Sequence, residues 1–411
     1  MSVRACSATA AFVAMLYPTA GAAVETAAAA AAPPLPPYDF TVFEDEVLPA
    51  WLARFTLSWA RGQFSYDRIV DDDDNKTQPP TPSLYGSVDV IHVLATTGAL
   101  AAGPLVLNGS LRDAWAAELS RHQNSSSGFY DPGPSGHSVY HAMGEATAAL
   151  ALLGRRARYN NSAYGALASE AYPGEGPPRW QRFFDSLYFN NCTGVRPGGK
   201  PGCGKSIHGC GQVIGSYPAV LAYTTGGEHA AFIRWWSGWL AARTSRETGT
   251  LCPRNGSVGD LYDSLGGGMA THGIQLGIAA GAPALYPFEL AAPQQLLAFS
   301  LSLQRPDGAF DKPPGAALGS LTLDGIFQAV RASEQLQRHG LPAAVPAVQA
   351  ACGRVLALSA AQLNNGSYAL AHWGQASHDI ANVVAAVGEC ARAFPQLVRT
   401  RRPWGCCARY V

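Results

Sequence analysis

Charge is scarce in this chain. Only 14% of its residues are Asp, Glu, Lys or Arg, and 29 basic residues balance 29 acidic ones. So low a charged fraction beside 47% hydrophobic residues excludes a disordered, strongly solvated polymer and leaves material for a large core. Basic residues nowhere form a sustained run, which argues against the electrostatic footprint of nucleic-acid binding. Beyond the N-terminal region no window of about twenty uninterrupted apolar residues stands out as a membrane span, so none is expected in the mature form. Zinc signatures are missing too. The run CTGVRPGGKPGCGKSIHGC from Cys192 to Cys210 lacks a second close CxxC or HxxxH half, and the chain has no H-E-x-x-H.

What is present at the N-terminus reads as export. Arg4 precedes the apolar stretch ACSATAAFVAMLYPTAGAA, and Ala20-Gly21-Ala22 offers small residues for cleavage, so residues 1–22 are expected to be a signal peptide. Residues 23–39, rich in Ala and then Pro, read as a tether. Asn-x-Ser/Thr sequons at Asn75, Asn108, Asn124, Asn160, Asn191, Asn255 and Asn365 fall mostly in loop-like segments. Once Cys6 is removed with the leader, Cys192, Cys203, Cys210, Cys252, Cys352, Cys390, Cys406 and Cys407 remain, an even number that suits disulfides. These features predict a glycoprotein in the secretory lumen or outside the cell.

A turn phrase recurs six times, each about sixty residues after the last: ARGQFSYD at 60–67, SSGFYDPG at 126–133, NNCTGVRPGG at 190–199, TGTLCPRNG at 248–256, PDGAFDKPPG at 306–315 and NNGSYALAHWG at 364–374. Helix-spaced apolar residues lie between them in pairs of segments. The first member of each pair is bulky and amphipathic and begins near 44, 110, 178, 229, 292 or 344. The second is rich in Ala, Gly and Ser and begins near 83, 136, 206, 260, 319 or 375. Small residues let helix axes approach where helices crowd a ring. The pattern predicts an all-α fold, an (α/α)6 toroid of six helical hairpins over 40–395 with a bulky outer ring and a small-residue inner ring, followed by a tail at 396–411.

LQRPDGAFDKPP, followed by a helix carrying Asp324, and HQNSSSGFYDPG, followed by HSVYHAMGEATAALALLG, resemble the Q-x-x-D-G-G-F repeat of the terpenoid cyclase and protein prenyltransferase β-subunit superfamily. Similar toroids are built by polysaccharide lyases and glycoside hydrolases. The resemblance implies the toroid and leaves the activity open. Prenyltransferases of this kind hold zinc with an Asp, a Cys two residues on and a later His. Here Asp260 is followed at that spacing by Tyr262, so the sulfur ligand is missing, although His378 is suitably placed. Class II terpene cyclases resemble one another in a D-x-D-D acid motif, which Asp71 to Asp74 match in a polar, Pro-flanked loop that reads as solvated.

The starts of the inner helices should converge on one face. They supply Tyr85, Asp89 and His92, then His137, His141 and Glu145, then His208, Gln212 and Tyr217. Asp260, Asp263 and His272 follow, then Asp324 and Gln328, and last His378, Asp379 and Asn382. Buried carboxylates and histidines are costly unless paired, so their concentration marks a network or a site. His137, His141 and Glu145 share one helical face, a stripe that furnishes a general base with its orienting carboxylate or a seat for a divalent metal. We expect His137, His141, Glu145, Asp263, Asp324, His378 and Asp379 as catalytic residues. Tyr85, Asp89, His208, Gln212, Tyr217, Tyr262 and Trp373 are expected against the substrate, with no cofactor required. An inverting glycosidase needs an acid and a base carboxyl, whereas a lyase needs a base and a neutraliser for the substrate carboxylate. Both fit an exported enzyme acting on an oligosaccharide or another small molecule. A cyclase- or prenyltransferase-like enzyme and a toroid that only binds a partner are the alternatives.

Overall fold

The computed structural model describes residues 37–69, 80–135, 137, 139–159, 181, 230–250, 290–310 and 316–405. They are mostly helical. A π-helical turn, Phe43–Val47, leads into α1, Leu48–Ala53. Then come α2, Leu84–Thr96, α3, Gly109–Arg121, α4, Val139–Leu152, and α5, Ala230–Arg243. The C-terminal part holds α6, Pro293–Leu303, α7, Ser320–Arg338, α8, Val345–Leu363, α9, Gly366–Trp373, and α10, Ser377–Ala393.

The small-residue helices pack side by side in the order α7, α10, α2, α4, so the last of them lies against the first. The approach of α10 to α2 depends on Gly388, where a Cβ would stand 2.4 Å from Thr96 Cγ2. Bulky helices back this row: α3 on α2 and α4, α6 on α7, and α8 on α7 and α10. Trp51, Trp115, Phe43, Phe55 and Phe64 fill the core between them.

The turn phrase has a physical basis in four of its six occurrences. Gly62, Gly128, Gly249 and Gly308 all take a left-handed backbone, with φ of 67°, 72°, 71° and 101°, where a Cβ is penalised. In three of them a small backbone ring closes around the glycine. The carbonyls of Phe129, Thr250 and Ala309, each just after the glycine, accept from the amides of Asn124, Ser245 and Arg305. Two residues past the glycine, Phe64, Tyr130 and Phe310 are buried. Gln123 and Gln304 donate their side-chain amides to the carbonyls of Gly128 and Gly308 at 2.9 and 3.1 Å. Gln304 also reaches Ala351 O on α8 at 3.0 Å. The glutamine thus ties each turn to itself and the fifth turn to the next bulky helix.

Several expectations need correction. The segment from 44 does not form one long helix. After α1 it enters a strand, β1 at Thr56–Ser58, a 3₁₀ turn at Trp59–Arg61 and β2 at Gln63–Phe64, antiparallel to β1. Thr56 Oγ1 turns back to Leu52 O at 2.7 Å, and the Trp59 carbonyl is used by Trp115 Nε1 at 2.7 Å, so the helical ladder stops there. The sixth phrase is a helix rather than a glycine turn, because Asn365 Oδ1 caps it by accepting from Tyr368 N. Tyr38–Asp39 pairs in parallel with Val398–Arg399, and Trp404 is buried with its ring 5.3 Å from Phe40 and 5.8 Å from Phe43. Residues Pro342–Leu363 do reach the length and apolarity of a membrane span. Here Val348, Ala351, Val355 and Leu356 bury one face of that helix against the domain.

Cys352 on α8 and Cys390 on α10 are buried free thiols with a hydrogen bond between them. The other cysteines lie outside the described residues, as do the third turn phrase and the helices expected from 206 and 260.

Candidate functional site

The first residues of α2, α4 and α10 meet. Ser83 caps α2 by accepting from Gly86 N at 2.9 Å, which orients Tyr85 and, one turn on, Asp89. The start of α10 is held against the first turn phrase: Ser377 N donates to Tyr66 O at 3.0 Å and Arg68 N to Gln375 O at 3.0 Å. That contact sets Ser377 and His378 opposite Asp89. His137 lies just before α4, its amide donating to Ser135 Oγ at 3.3 Å, and His141 and Glu145 follow on the helix.

Two polar chains result. In the first, Tyr85 Oη is hydrogen-bonded to His141 Nδ1. The other nitrogen of His141 lies 3.8 Å from Glu145 Oε1, and Glu145 Oε2 lies 3.4 Å from His92 Nδ1. In the second, Asp89 is only 3% exposed and accepts from both neighbours on α10, with Oδ1 2.8 Å from His378 Nδ1 and Oδ2 2.7 Å from Ser377 Oγ. Rings join the chains. Tyr85, His137 and His141 stack in near-parallel planes, 4.6 Å from Tyr85 to His137 and 4.6 Å from His137 to His141, while His378 meets His137 edge-on at 4.8 Å. Tyr66 closes the group edge-on to Tyr85 at 6.4 Å.

The electrostatics separate the roles of these groups. Burial pushes the Tyr85 phenol well above its usual range, and Glu145 and Asp89 push in the same direction, so Tyr85 is a neutral proton donor. Burial, with Asp89, Asp379 and Asp67, raises Tyr66 to about 12. Burial alone would lower His378. The charge of Asp89 and its hydrogen bond, with Glu145 and Asp379 behind them, outweigh that and raise it to about 9. His378 is therefore an imidazolium at neutral pH, beside a phenol and two further imidazoles. Such a group can neutralise one negative charge on a ligand, donate a proton from oxygen and accept one on nitrogen.

Seven of the fourteen expected site residues come together here: Tyr85, Asp89, His137, His141, Glu145, His378 and, exposed in the first turn of α10, Asp379. Asp324 is buried on α7, next in sequence to Gly325, whose backbone packs against the Phe310 ring of the fifth turn. Trp373 is a core residue. It is 2% exposed, with its indole donating to Leu318 O at 3.2 Å and its carbonyl accepting from Trp51 Nε1 at 3.0 Å, so it offers no free face for stacking. Asp263, His208, Gln212, Tyr217 and Tyr262 lie outside the described residues. Ser377 and Tyr66 join the site although sequence reasoning passes over them. The only sequence signal is their position, Ser377 immediately before His378 and Tyr66 inside the first turn phrase.

Among the described residues, no three His, Cys, Asp or Glu side chains are grouped as metal ligands. Within the His137, His141 and Glu145 stripe, the two imidazoles stack on each other and His141 is hydrogen-bonded to Tyr85. Compared with known proteins, the chain matches no family model and no curated sequence.

Proposed function

We propose that the chain is an exported, disulfide-bearing (α/α)6 toroid that cleaves a uronic-acid-containing oligosaccharide by elimination. The packing of α10 on α2, with the repeated glycine turns, supports the closed ring of hairpins. The observation that carries the chemistry is the pairing of a cationic His378, held by Asp89, with a neutral Tyr85, held by His141.

Elimination from a uronate requires removal of the proton beside the carboxylate, which is feasible only when the carboxylate charge is neutralised and the leaving oxygen is protonated. In this reading His378 faces the carboxylate, His137 takes the proton and Tyr85 gives one to the departing oxygen. His141 and Glu145 orient Tyr85 and restore its proton. A hydrolase is less well supported, because Asp89 is spent on Ser377 and His378 and Glu145 stands between two histidines. A single imidazolium suits a sparsely charged polymer better than a densely anionic one.

The test is incubation of the purified protein with neutral and uronic-acid oligosaccharides. An unsaturated uronate absorbance, abolished in Tyr85→Phe and His137→Ala while Tyr85→Phe still binds the ligand, is expected. New reducing ends without that absorbance would assign hydrolysis. No change with any sugar would remove the carbohydrate assignment.

A further inference from the structure

We infer that the chain carries N-linked glycans at Asn108, Asn124 and Asn365, and that at each one carboxamide does two jobs, its Oδ1 capping backbone while its Nδ2 bears the sugar. The inference rests on the export reading above and is independent of the chemistry at the Tyr85 group.

The described residues include five asparagines, and they divide cleanly. Asn364 and Asn382, outside any sequon, spend their Nδ2 inside the protein, donating to Asp39 O at 2.6 Å and His378 O at 3.3 Å. The three sequon asparagines are exposed and use only their oxygen. Asn108 Oδ1 accepts from Leu111 N at 2.9 Å and caps α3. Asn124 Oδ1 accepts from Ser126 N and Ser127 N at 2.9 and 3.0 Å. Asn365 Oδ1 accepts from Tyr368 N at 3.1 Å and caps α9. None of the three donates from Nδ2 to a described residue. The sequon hydroxyl is at hand as well: Ser110 Oγ and Ser126 Oγ donate to the same Oδ1 at 2.8 and 2.7 Å.

Glycan transfer uses the atom that folding leaves over. Asn Nδ2 attacks the anomeric carbon of a lipid-linked oligosaccharide, the C–N bond forms, the bond from that carbon to the lipid pyrophosphate breaks, and the amide nitrogen gives up one proton. The product remains an amide whose carbonyl accepts as before, so the cap survives. Two of the sites bracket α3. Asn108 sits at its start and Asn124 just beyond its end, on either side of a helix about 20 Å long for its 13 residues at about 1.5 Å each. Sugars there would cover its outward face and bar a protein partner from it.

The experiment is secretion of the full chain from a eukaryotic cell, once with its own leader and once with a substituted export leader. Enzymatic release of glycans in ¹⁸O-water then converts each occupied Asn to a heavy Asp. Label at positions 108, 124 and 365 is expected, with Ser110→Ala, Ser126→Ala and Ser367→Ala each losing one glycan. After enzymatic deglycosylation of all three proteins, Asn108→Asp should melt like the wild type, whose Asn108 has then become Asp, whereas Asn108→Gln should melt lower. Secreted chain unlabelled at these positions would overturn the inference. Label with the substituted leader alone would refute export and, with it, native glycosylation, while leaving the carbohydrate chemistry at Tyr85 to its own assay.

Discussion

Replacing Asp89 with Asn removes the charge that holds His378 protonated. Moving that imidazole from 6.5 to about 9 corresponds to ~3 kcal/mol of differential interaction, at about 1.4 kcal/mol per pH unit. Its side chain is 21% exposed, so solvent screening of the pair is partial. The sign follows from which state holds the proton. Between 6.5 and about 9 the folded protein keeps a proton on His378 that the unfolded chain has lost, so this contribution is complete below 6.5, declines through the window and is gone above about 9. Above that pH the pair becomes a neutral imidazole beside a buried carboxylate. Urea unfolding of wild type and Asp89→Asn at pH 6, 7.5 and 10 measures the difference directly. The wild type should exceed the variant by ~3 kcal/mol at pH 6, less whatever Ser377 recovers with the new amide, and the gap should shrink toward pH 10. NMR titration of His378 should show its midpoint falling well below about 9 in the variant, where burial is opposed only by the smaller contributions of Glu145 and Asp379. A wild-type midpoint near 6.5, or a gap independent of pH, would refute this account of the pair, and with it the imidazolium needed to meet a uronate.

Other perturbations probe the frame around that pair. Glu389 is fully buried between Arg331 and Arg392, 2.8 Å from each. Glu389→Ala should cost about 3–5 kcal/mol in urea unfolding, because two guanidinium groups lose their buried counter-charge and keep only Glu334, 3.4 Å from Arg331 and 2.7 Å from Arg392. Gly308→Ala should cost well over 1 kcal/mol, since φ is +101° and the new Cβ would stand 2.5 Å from Arg354 O. Gly133→Ala, also at positive φ but with nothing within 4 Å, is the control and should cost only about 1–2 kcal/mol. Trp404→Ala should lower stability by about 3–5 kcal/mol in guanidinium unfolding, since the indole packs on Phe40 and Phe43. An effect below 1 kcal/mol would place the tail outside the cooperative unit.

What was legible in the sequence depended on distance along the chain. The turn glycines stand out because only a residue without a Cβ takes φ of 67° to 101° at little cost, and that demand recurs at Gly62, Gly128, Gly249 and Gly308. The His137, His141 and Glu145 stripe is equally readable, because residues four apart share a helical face. The helix from 44 misled for the converse reason. Its apolar spacing continues past Ala53, but Thr56 and the Trp59 carbonyl are claimed by Leu52 and Trp115, partners that periodicity does not reveal. Trp373 misled in a similar way, since an aromatic beside a turn glycine suits a sugar platform and a core anchor equally, and only its bonds to Leu318 and Trp51 decide for the core.

The pairs that give the site its electrostatics were out of reach for a further reason. Tyr85 meets His141 across 56 residues, and Asp89 meets Ser377 and His378 across 288 and 289. The second contact exists only because α10 returns to lie on α2, an approach that Gly388 permits and that the bond from Ser377 N to Tyr66 O registers at the helix start. The packing of α10 on α2 therefore does more than bury surface. It delivers the aspartate that keeps His378 charged, so loosening that seam should change the chemistry before it unfolds the domain. Gly388→Ala, whose Cβ would press on Thr96 at the seam, should lower the His378 midpoint while the far-UV circular dichroism stays native. An unchanged midpoint would separate the site from the seam.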